Sequence, residues 1–84
     1  MGIESAEASV LTSLKKSLFF NTDIIVEVGN KSNANKIYKF LKKNNLKSFS
    51  QKKFFMPVKY LSDMPFSYHD GLLLISQTIE DKIF

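Results

Sequence analysis

The chain has 84 residues, enough for one small domain and too few for two, since independent domains rarely fall below about 50 residues. Having no cysteine and a single histidine, it excludes a disulfide framework and offers too few ligands for a cysteine or histidine metal site. Its net charge is +4, all twelve of its strongly basic residues are lysine, and no apolar run approaches the roughly 18 to 20 residues of a membrane span. We expect one cytoplasmic domain over residues 1–84, without a membrane span.

The first predicted elements are a helix and a strand. Residues 4–19 indicate an amphipathic helix that ends at Asn21-Thr22, and the β-branched run 24–28 predicts a strand with both faces largely covered. Gly29 ends this strand. The apolar side of the helix is formed by Val10, Leu11, Leu14 and Leu18.

A second amphipathic helix is predicted over residues 33–44, with Ser32 as its N-cap. Its apolar and lysine-bearing positions separate cleanly onto two sides, as expected for a helix that packs on a sheet. Asn44-Asn45 supplies the stop, because asparagine tolerates the left-handed conformation that often ends helices.

The next stretch predicts a hairpin of two strands, 46–50 and 53–60, joined around residues 50–52. Pro57 lies within the second strand. Because proline has no backbone N–H to donate, it indicates an edge strand or a bulge.

The last part of the chain predicts another hairpin, in which Asp70-Gly71 joins strands over 66–68 and 72–75, followed by a short helix over 77–84. The predicted order is α-β-α-β-β-β with one further short strand. This order favours a small two-layer α+β domain, with two helices on one face of a mainly antiparallel sheet. The nearest named layouts are the ferredoxin-like fold and the split β-α-β unit.

Charge is unevenly distributed along the chain. Between Glu27 and Asp63 there is no acidic residue, whereas nine lysines occur there. Such asymmetry indicates an anionic partner. The nine are Lys31, Lys36, Lys39, Lys42, Lys43, Lys47, Lys52, Lys53 and Lys59.

Nucleic acid, either RNA or DNA, is the most specific partner that this pattern suggests, because aromatic residues are interleaved with the lysines and exposed rings can stack on bases. The lack of arginine counts against bidentate guanine recognition. The alternatives are a solvated lysine face over a core of aromatics, an acidic protein, or membrane headgroups. The interleaved aromatics are Tyr38, Phe40, Phe49, Phe54, Phe55 and Tyr60. The predicted nucleic-acid-binding residues are Lys31, Lys36, Lys39, Lys43, Lys52, Lys53 and Phe54.

A protein-interaction module or small adaptor is the second hypothesis. Helices on one sheet face leave the other uncovered, and residues 46–75 are more apolar than a fully exposed face would tolerate. A homodimer through this face, or through the edge that carries Pro57, would cover it.

No catalytic residue and no cofactor are predicted. Ser67, His69 and Asp70 are the residue types of a nucleophilic triad, but they are too close together in a turn to reach the necessary geometry. Glu27 is expected to pair with a lysine in preference to acting as a buried catalytic acid. Gly29-Asn30-Lys31-Ser32 is expected to be a plain turn into a helix, with anion binding at the helix start as the alternative.

One short family resemblance concerns the first strand and the helix after it. Val26-Glu27-Val28-Gly29, followed by Ser32, Ala34 and Leu41, resembles the first half of peptidoglycan-binding SPOR domains. The resemblance implies two β-α-β halves, but Ser62 to Gly71 is too short for the second helix and carries Pro65. It therefore adds peptidoglycan as a polymer to test and assigns no binding residues.

Overall fold

A five-stranded sheet forms one layer of the domain in a computed structural model, which describes residues 2–3, 8–66 and 71–78. The helices form the other layer. The strands are β1 (Gly2–Ile3), β2 (Ile24–Glu27), β3 (Ser48–Ser50), β4 (Met56–Pro57) and β5 (Leu72–Ile75). The helices are α1 (Ala8–Thr12), α2 (Lys16–Asn21) and α3 (Lys31–Lys43), and two 3₁₀ turns cover Gln51–Lys53 and Leu61–Asp63.

The sheet has the order β1-β2-β5-β3-β4 and is antiparallel except for the β1–β2 pair. Since β5 lies antiparallel between β2 and β3, those two strands run parallel, and α3 connects them across β5. This is the split β-α-β unit, so the predicted α+β class is confirmed. A ferredoxin-like domain has a second crossover helix before its last strand, whereas the described residues between β4 and β5 contain only the 3₁₀ turn Leu61–Asp63.

All three helices pack on the same face of the sheet. The pairing registers place alternate residues of β2 and β5 on this face, where helix residues bury them. The prediction of helices on one sheet face is therefore confirmed. The shared core contains Ile24, Val26, Leu73 and Ile75 from the sheet and Leu11, Phe19, Ala34, Ile37 and Leu41 from the helices.

The prediction of one continuous helix over 4–19 is wrong within the described residues, because the chain breaks between α1 and α2. The Ser13 hydroxyl donates to the carbonyl of Val10 at 2.6 Å, and such local side-chain bonds compete with helical ones. The two short helices do not share the apolar side predicted for one helix: Val10 of α1 is exposed, and Phe19 of α2 is buried. The end at Asn21-Thr22 is confirmed, and residues 4–7 lie outside the described residues.

Helix α3 begins earlier than predicted because Asn30, and not Ser32, is its N-cap. The side-chain oxygen of Asn30 accepts a hydrogen bond from the backbone N–H of Asn33 at 2.8 Å. This bond satisfies one of the unpaired donors of the first turn, as a plain helix cap does. At the other end Asn45 is left-handed, with φ 53°, which confirms the predicted stop.

The β3–β4 hairpin is confirmed, although both strands are shorter than predicted. Phe49 lies opposite Pro57 and Ser50 opposite Met56, and β4 forms one edge of the sheet, as Pro57 indicated. The second strand does not reach back to residue 53, because Phe54 and Phe55 have positive φ angles that a strand cannot contain.

The sheet face opposite the helices is apolar and partly open. Ile25 is 45% exposed there, so the prediction that β2 is covered on both faces is wrong. The register aligns Ile25, Leu74, Phe49 and Pro57 in one row across the sheet. Phe49 is fully buried, and Leu74 and Pro57 are half-buried.

The predicted strand at 72–75 is confirmed as β5, which pairs with β2 and β3. Phe66 lies in a loop, and the rest of the predicted 66–68 strand lies outside the described residues. Most of the predicted terminal helix, residues 79–84, also lies outside them. In the part of the chain that the structure describes, no helix has the length and apolar character to cross a bilayer.

Candidate nucleic-acid interface

Helix α3 presents a row of lysines to solvent on the side away from the sheet. Its buried residues recur at helical spacing, which leaves the lysine positions facing outward. No carboxylate among the described residues forms an ion pair with them. At a rise of about 1.5 Å per residue, the row extends over roughly 18 Å. We call this row the lysine face: it contains the predicted residues Lys31, Lys36, Lys39 and Lys43, together with Lys42.

The other predicted residues, Lys52, Lys53 and Phe54, lie in the connection between β3 and β4, which we call the aromatic loop (residues 51–55). Hydrogen bonds from backbone N–H groups hold this loop at both ends. The Leu72 N–H donates to the side-chain carbonyl of Gln51 at 3.2 Å, and the Phe55 N–H donates to the carbonyl of Ser50 at 2.8 Å.

The aromatic loop holds two consecutive phenylalanines in the left-handed region, Phe54 at φ 56° and Phe55 at φ 58°. That conformation costs an L-residue with a Cβ roughly 1–2 kcal/mol. Phe54 is 82% exposed, so burial of its ring does little to offset the cost. Backbone strain of this kind tends to occur where a protein binds something.

The two lysines of the aromatic loop are held by neighbouring residues. The Lys52 ammonium donates to the carbonyl of Ser62 at 2.9 Å and lies 4.4 Å from the centroid of the Phe66 ring. The Lys53 ammonium lies 3.7 Å from the Asp63 carboxylate. Both side chains remain exposed, so their charges are presented from fixed positions.

Asp63 is the carboxylate that organises this surface. Partial burial raises the pKa of Asp63, but hydrogen bonds from the Lys59 and Tyr60 backbone N–H groups and the nearby Lys53 ammonium outweigh it. The pKa is therefore held below its ordinary value of 3.8. The two N–H groups donate to the same carboxylate oxygen, at 3.0 and 3.1 Å. At neutral pH Asp63 is ionised, and its negative charge offsets part of the charge of Lys53.

The lysine face and the aromatic loop are joined through Tyr38. Its hydroxyl donates to the carbonyl of Lys59 at 3.3 Å, and the Lys42 ammonium lies 5.5 Å from the centroid of its ring. Since Asp63 connects the 59–60 segment to Lys53, contacts run without a gap from α3 to the aromatic loop. The structure thus brings all seven predicted residues onto adjoining elements.

Of the six aromatics interleaved with the lysines, Phe54 and Tyr60 are exposed, at 82% and 68%. The others are buried or half-buried. Phe40, for example, packs against Phe19 with ring centroids 5.8 Å apart. Tyr60 was not among the predicted site residues, although it adjoins Lys59 and precedes the polar pair Ser62-Asp63. That polar setting is the sequence signal that could have identified it.

The remaining candidate residues do not form a second site in the described part of the chain. Glu27 is half-buried at the end of β2, opposite Leu72. Ser67, His69 and Asp70 lie outside the described residues. Among residues 2–3, 8–66 and 71–78, no cluster of three acidic or histidine side chains could hold a metal ion.

Comparison of the chain with protein-family models, curated proteins and solved structures gave no match.

Proposed function

We propose that this chain is a non-enzymatic nucleic-acid-binding domain whose surface comprises the lysine face and the aromatic loop. The observation that carries the proposal is the exposure of Phe54 and Tyr60 among lysines, since these are the most exposed large apolar side chains of the described residues. Nucleic acid is the polymer that presents both phosphates for the ammonium groups and planar bases for the rings.

The lysines supply a charge interaction that does not depend on base sequence. Binding of phosphates by lysines releases condensed counterions, so affinity falls as salt rises. If four lysines of the surface contact phosphates, the slope of log K against log salt is about −3 to −4. The lack of arginine counts against bidentate guanine recognition, which favours sequence-tolerant binding.

Fluorescence anisotropy with labelled RNA and DNA at about 50 and 200 mM salt tests the proposal. The test variant is Lys39→Glu/Lys43→Glu, which reverses two charges of the lysine face. Its matched control is Lys15→Glu/Lys16→Glu, at exposed positions around the start of α2. Both pairs lower the net charge from +4 to zero, so a difference between them reports position and not total charge.

The expected result is salt-dependent binding that Lys39→Glu/Lys43→Glu abolishes and the control retains. Two results would contradict the proposal: no binding of any nucleic acid at the lower salt, or equal losses in the two variants. Equal losses would mean that the protein attracts nucleic acid only through its net charge.

A protein-interaction role is the second candidate, favoured by the apolar row on the open sheet face. Ile25 is 45% exposed there, beside half-buried Leu74. A homodimer through this row would bury apolar area and resist salt. Its test is the mass in solution at low and high salt, with Ile25→Glu expected to produce monomers. A monomer in the unsubstituted protein would rule out the homodimer.

A further inference from the structure

The aromatic loop and Tyr60 carry a more specific conclusion about the ligand. We propose that the nucleic acid is single-stranded, with Phe54 and Tyr60 stacking on unpaired bases while lysines contact the phosphates. This inference rests on the proposed function and narrows it to one structural class of nucleic acid.

The first reason is that hydrogen bonds hold the backbone of the loop that carries Phe54. Its backbone N–H donates to the carbonyl of Gln51 at 3.0 Å, and the side chain of Gln51 is bound to Leu72 of β5. On the other side Lys52 is fixed to Ser62. The Phe54 ring is 82% exposed, and the backbone of a loop held at these points loses little conformational freedom when the ring stacks on a base.

The second reason is that a second exposed ring lies on the adjoining segment. Tyr60 is 68% exposed, and its backbone N–H donates to Asp63, which also pairs with Lys53 of the aromatic loop. Two rings on linked segments can engage separate bases of one strand. Lys53 and Lys59 are next to these rings in sequence and would supply the contacts to the connecting phosphates.

The third reason lies in what a duplex offers. In a duplex each base face is covered by the next base pair, so an aromatic side chain gains little unless it unstacks the helix. In a single strand the base faces are accessible, and stacking on aromatic side chains is sequence-tolerant because every base has a π-face. A surface of lysines and aromatics without arginine fits this mode.

The experiment compares fluorescein-labelled oligo-dT, oligo-U and a mixed-sequence DNA duplex, each about 12 nucleotides or base pairs long, at about 50 mM salt. We expect either single strand to bind at least about 10-fold more tightly than the duplex. The two single strands decide between RNA and DNA. Phe54→Ala and Tyr60→Ala should each weaken single-strand binding by about 5- to 150-fold and leave duplex binding unchanged. Phe20→Ala, at an exposed ring on α2, is the matched control and should change neither.

A direct readout comes from tryptophan, because the chain has none. Phe54→Trp keeps an aromatic ring at the proposed stacking position and should retain affinity, with its emission quenched on addition of oligo-dT. Phe20→Trp should show no quenching. Folding of each variant is verified by circular dichroism, and Phe54→Trp tests the site even if Phe54→Ala does not fold.

The outcomes separate the two proposals. If no nucleic acid binds, the proposed function itself is wrong. A second result is equal affinity for single strands and duplex, with neither affinity changed by Phe54→Ala. It would leave the proposed nucleic-acid-binding function in place and overturn single-strand stacking. Unquenched Phe54→Trp emission in a protein saturated with oligo-dT would also overturn stacking.

Discussion

The Lys53 ammonium lies 3.7 Å from the Asp63 carboxylate, which ties the loop that presents Phe54 to the segment that presents Tyr60. Asp63 also accepts hydrogen bonds from the backbone N–H groups of Lys59 and Tyr60. One carboxylate therefore contacts both parts of the proposed stacking surface.

Replacing Asp63 with asparagine should destabilise the domain at neutral pH by about 1–2 kcal/mol, because charge-assisted hydrogen bonds to two backbone N–H groups are weakened. Since the pKa of Asp63 is lowered in the folded state, its contribution is fully present above its ordinary pKa of 3.8 and is lost as pH falls through the folded value. Urea unfolding at a series of pH values should therefore show the difference between Asp63→Asn and the unsubstituted protein shrinking in acid. A difference that stays constant into strong acid would contradict this explanation.

Breaking only the ion pair should matter less. Lys53 is 52% exposed, and pairs of this kind contribute about 0–1 kcal/mol because water screens them. Lys53→Gln should lower the free energy of unfolding by less than about 1 kcal/mol. A loss as large as that of Asp63→Asn would show that the ion pair, and not the backbone hydrogen bonds, dominates.

The adjacent residues Phe19 and Phe20 should respond very differently to truncation. Phe19 is buried in the core against Phe40, whereas Phe20 is 48% exposed. Phe19→Ala should cost about 3–5 kcal/mol and Phe20→Ala less than about 1 kcal/mol, measured by urea denaturation. Similar costs at the two positions would contradict the orientation of α2.

The helix cap gives a further matched pair. Asn30→Ala removes the side-chain acceptor for the Asn33 N–H and should cost about 1 kcal/mol. Ser32→Ala, one residue inside α3, should be nearly neutral. A larger effect at Ser32 would restore the cap predicted from sequence.

Two buried serines allow a comparison between a hydroxyl with a hydrogen-bond partner and one without. The Ser50 hydroxyl is buried and has no hydrogen-bond partner among the described residues, whereas the Ser76 hydroxyl donates to Asp23 at 2.6 Å. Ser50→Ala should leave stability unchanged or raise it by about 1 kcal/mol, and Ser76→Ala should lower it by about 1–3 kcal/mol. Destabilisation by Ser50→Ala comparable to that of Ser76→Ala would indicate that Ser50 has a partner after all. Thermal unfolding at constant pH measures both.

Local sequence signals predicted much of the fold, because they depend on the chemistry of one or two residues. Pro57 lacks a backbone donor and lies in an edge strand; Asn45 tolerates a left-handed backbone and ends α3. Lysines alternate with apolar residues at helical spacing, and α3 places them on its outer side. The lysine part of the candidate site was predictable for the same reason.

Other features required contacts between distant parts of the chain. The helix break at Ser13 depends on a competition between local hydrogen bonds and helical ones that periodicity does not report. The position of β5 between β2 and β3 pairs residues that are far apart in the chain, such as Ile24 with Ile75 and Ser50 with Leu73. This pairing completes the split β-α-β unit, and the lack of a second crossover helix among the described residues between β4 and β5 distinguishes the domain from a ferredoxin-like one.

The sequence by itself determined the composition of the surface: an acid-free central segment rich in lysine and aromatic residues. Only the tertiary structure decided which rings face solvent, because Phe40 and Phe54 are chemically identical and differ in what packs against them. Phe40 packs against Phe19, whereas Phe54 lies in the aromatic loop and is 82% exposed. Side-chain burial is set by contacts across the whole fold, and composition cannot specify those contacts.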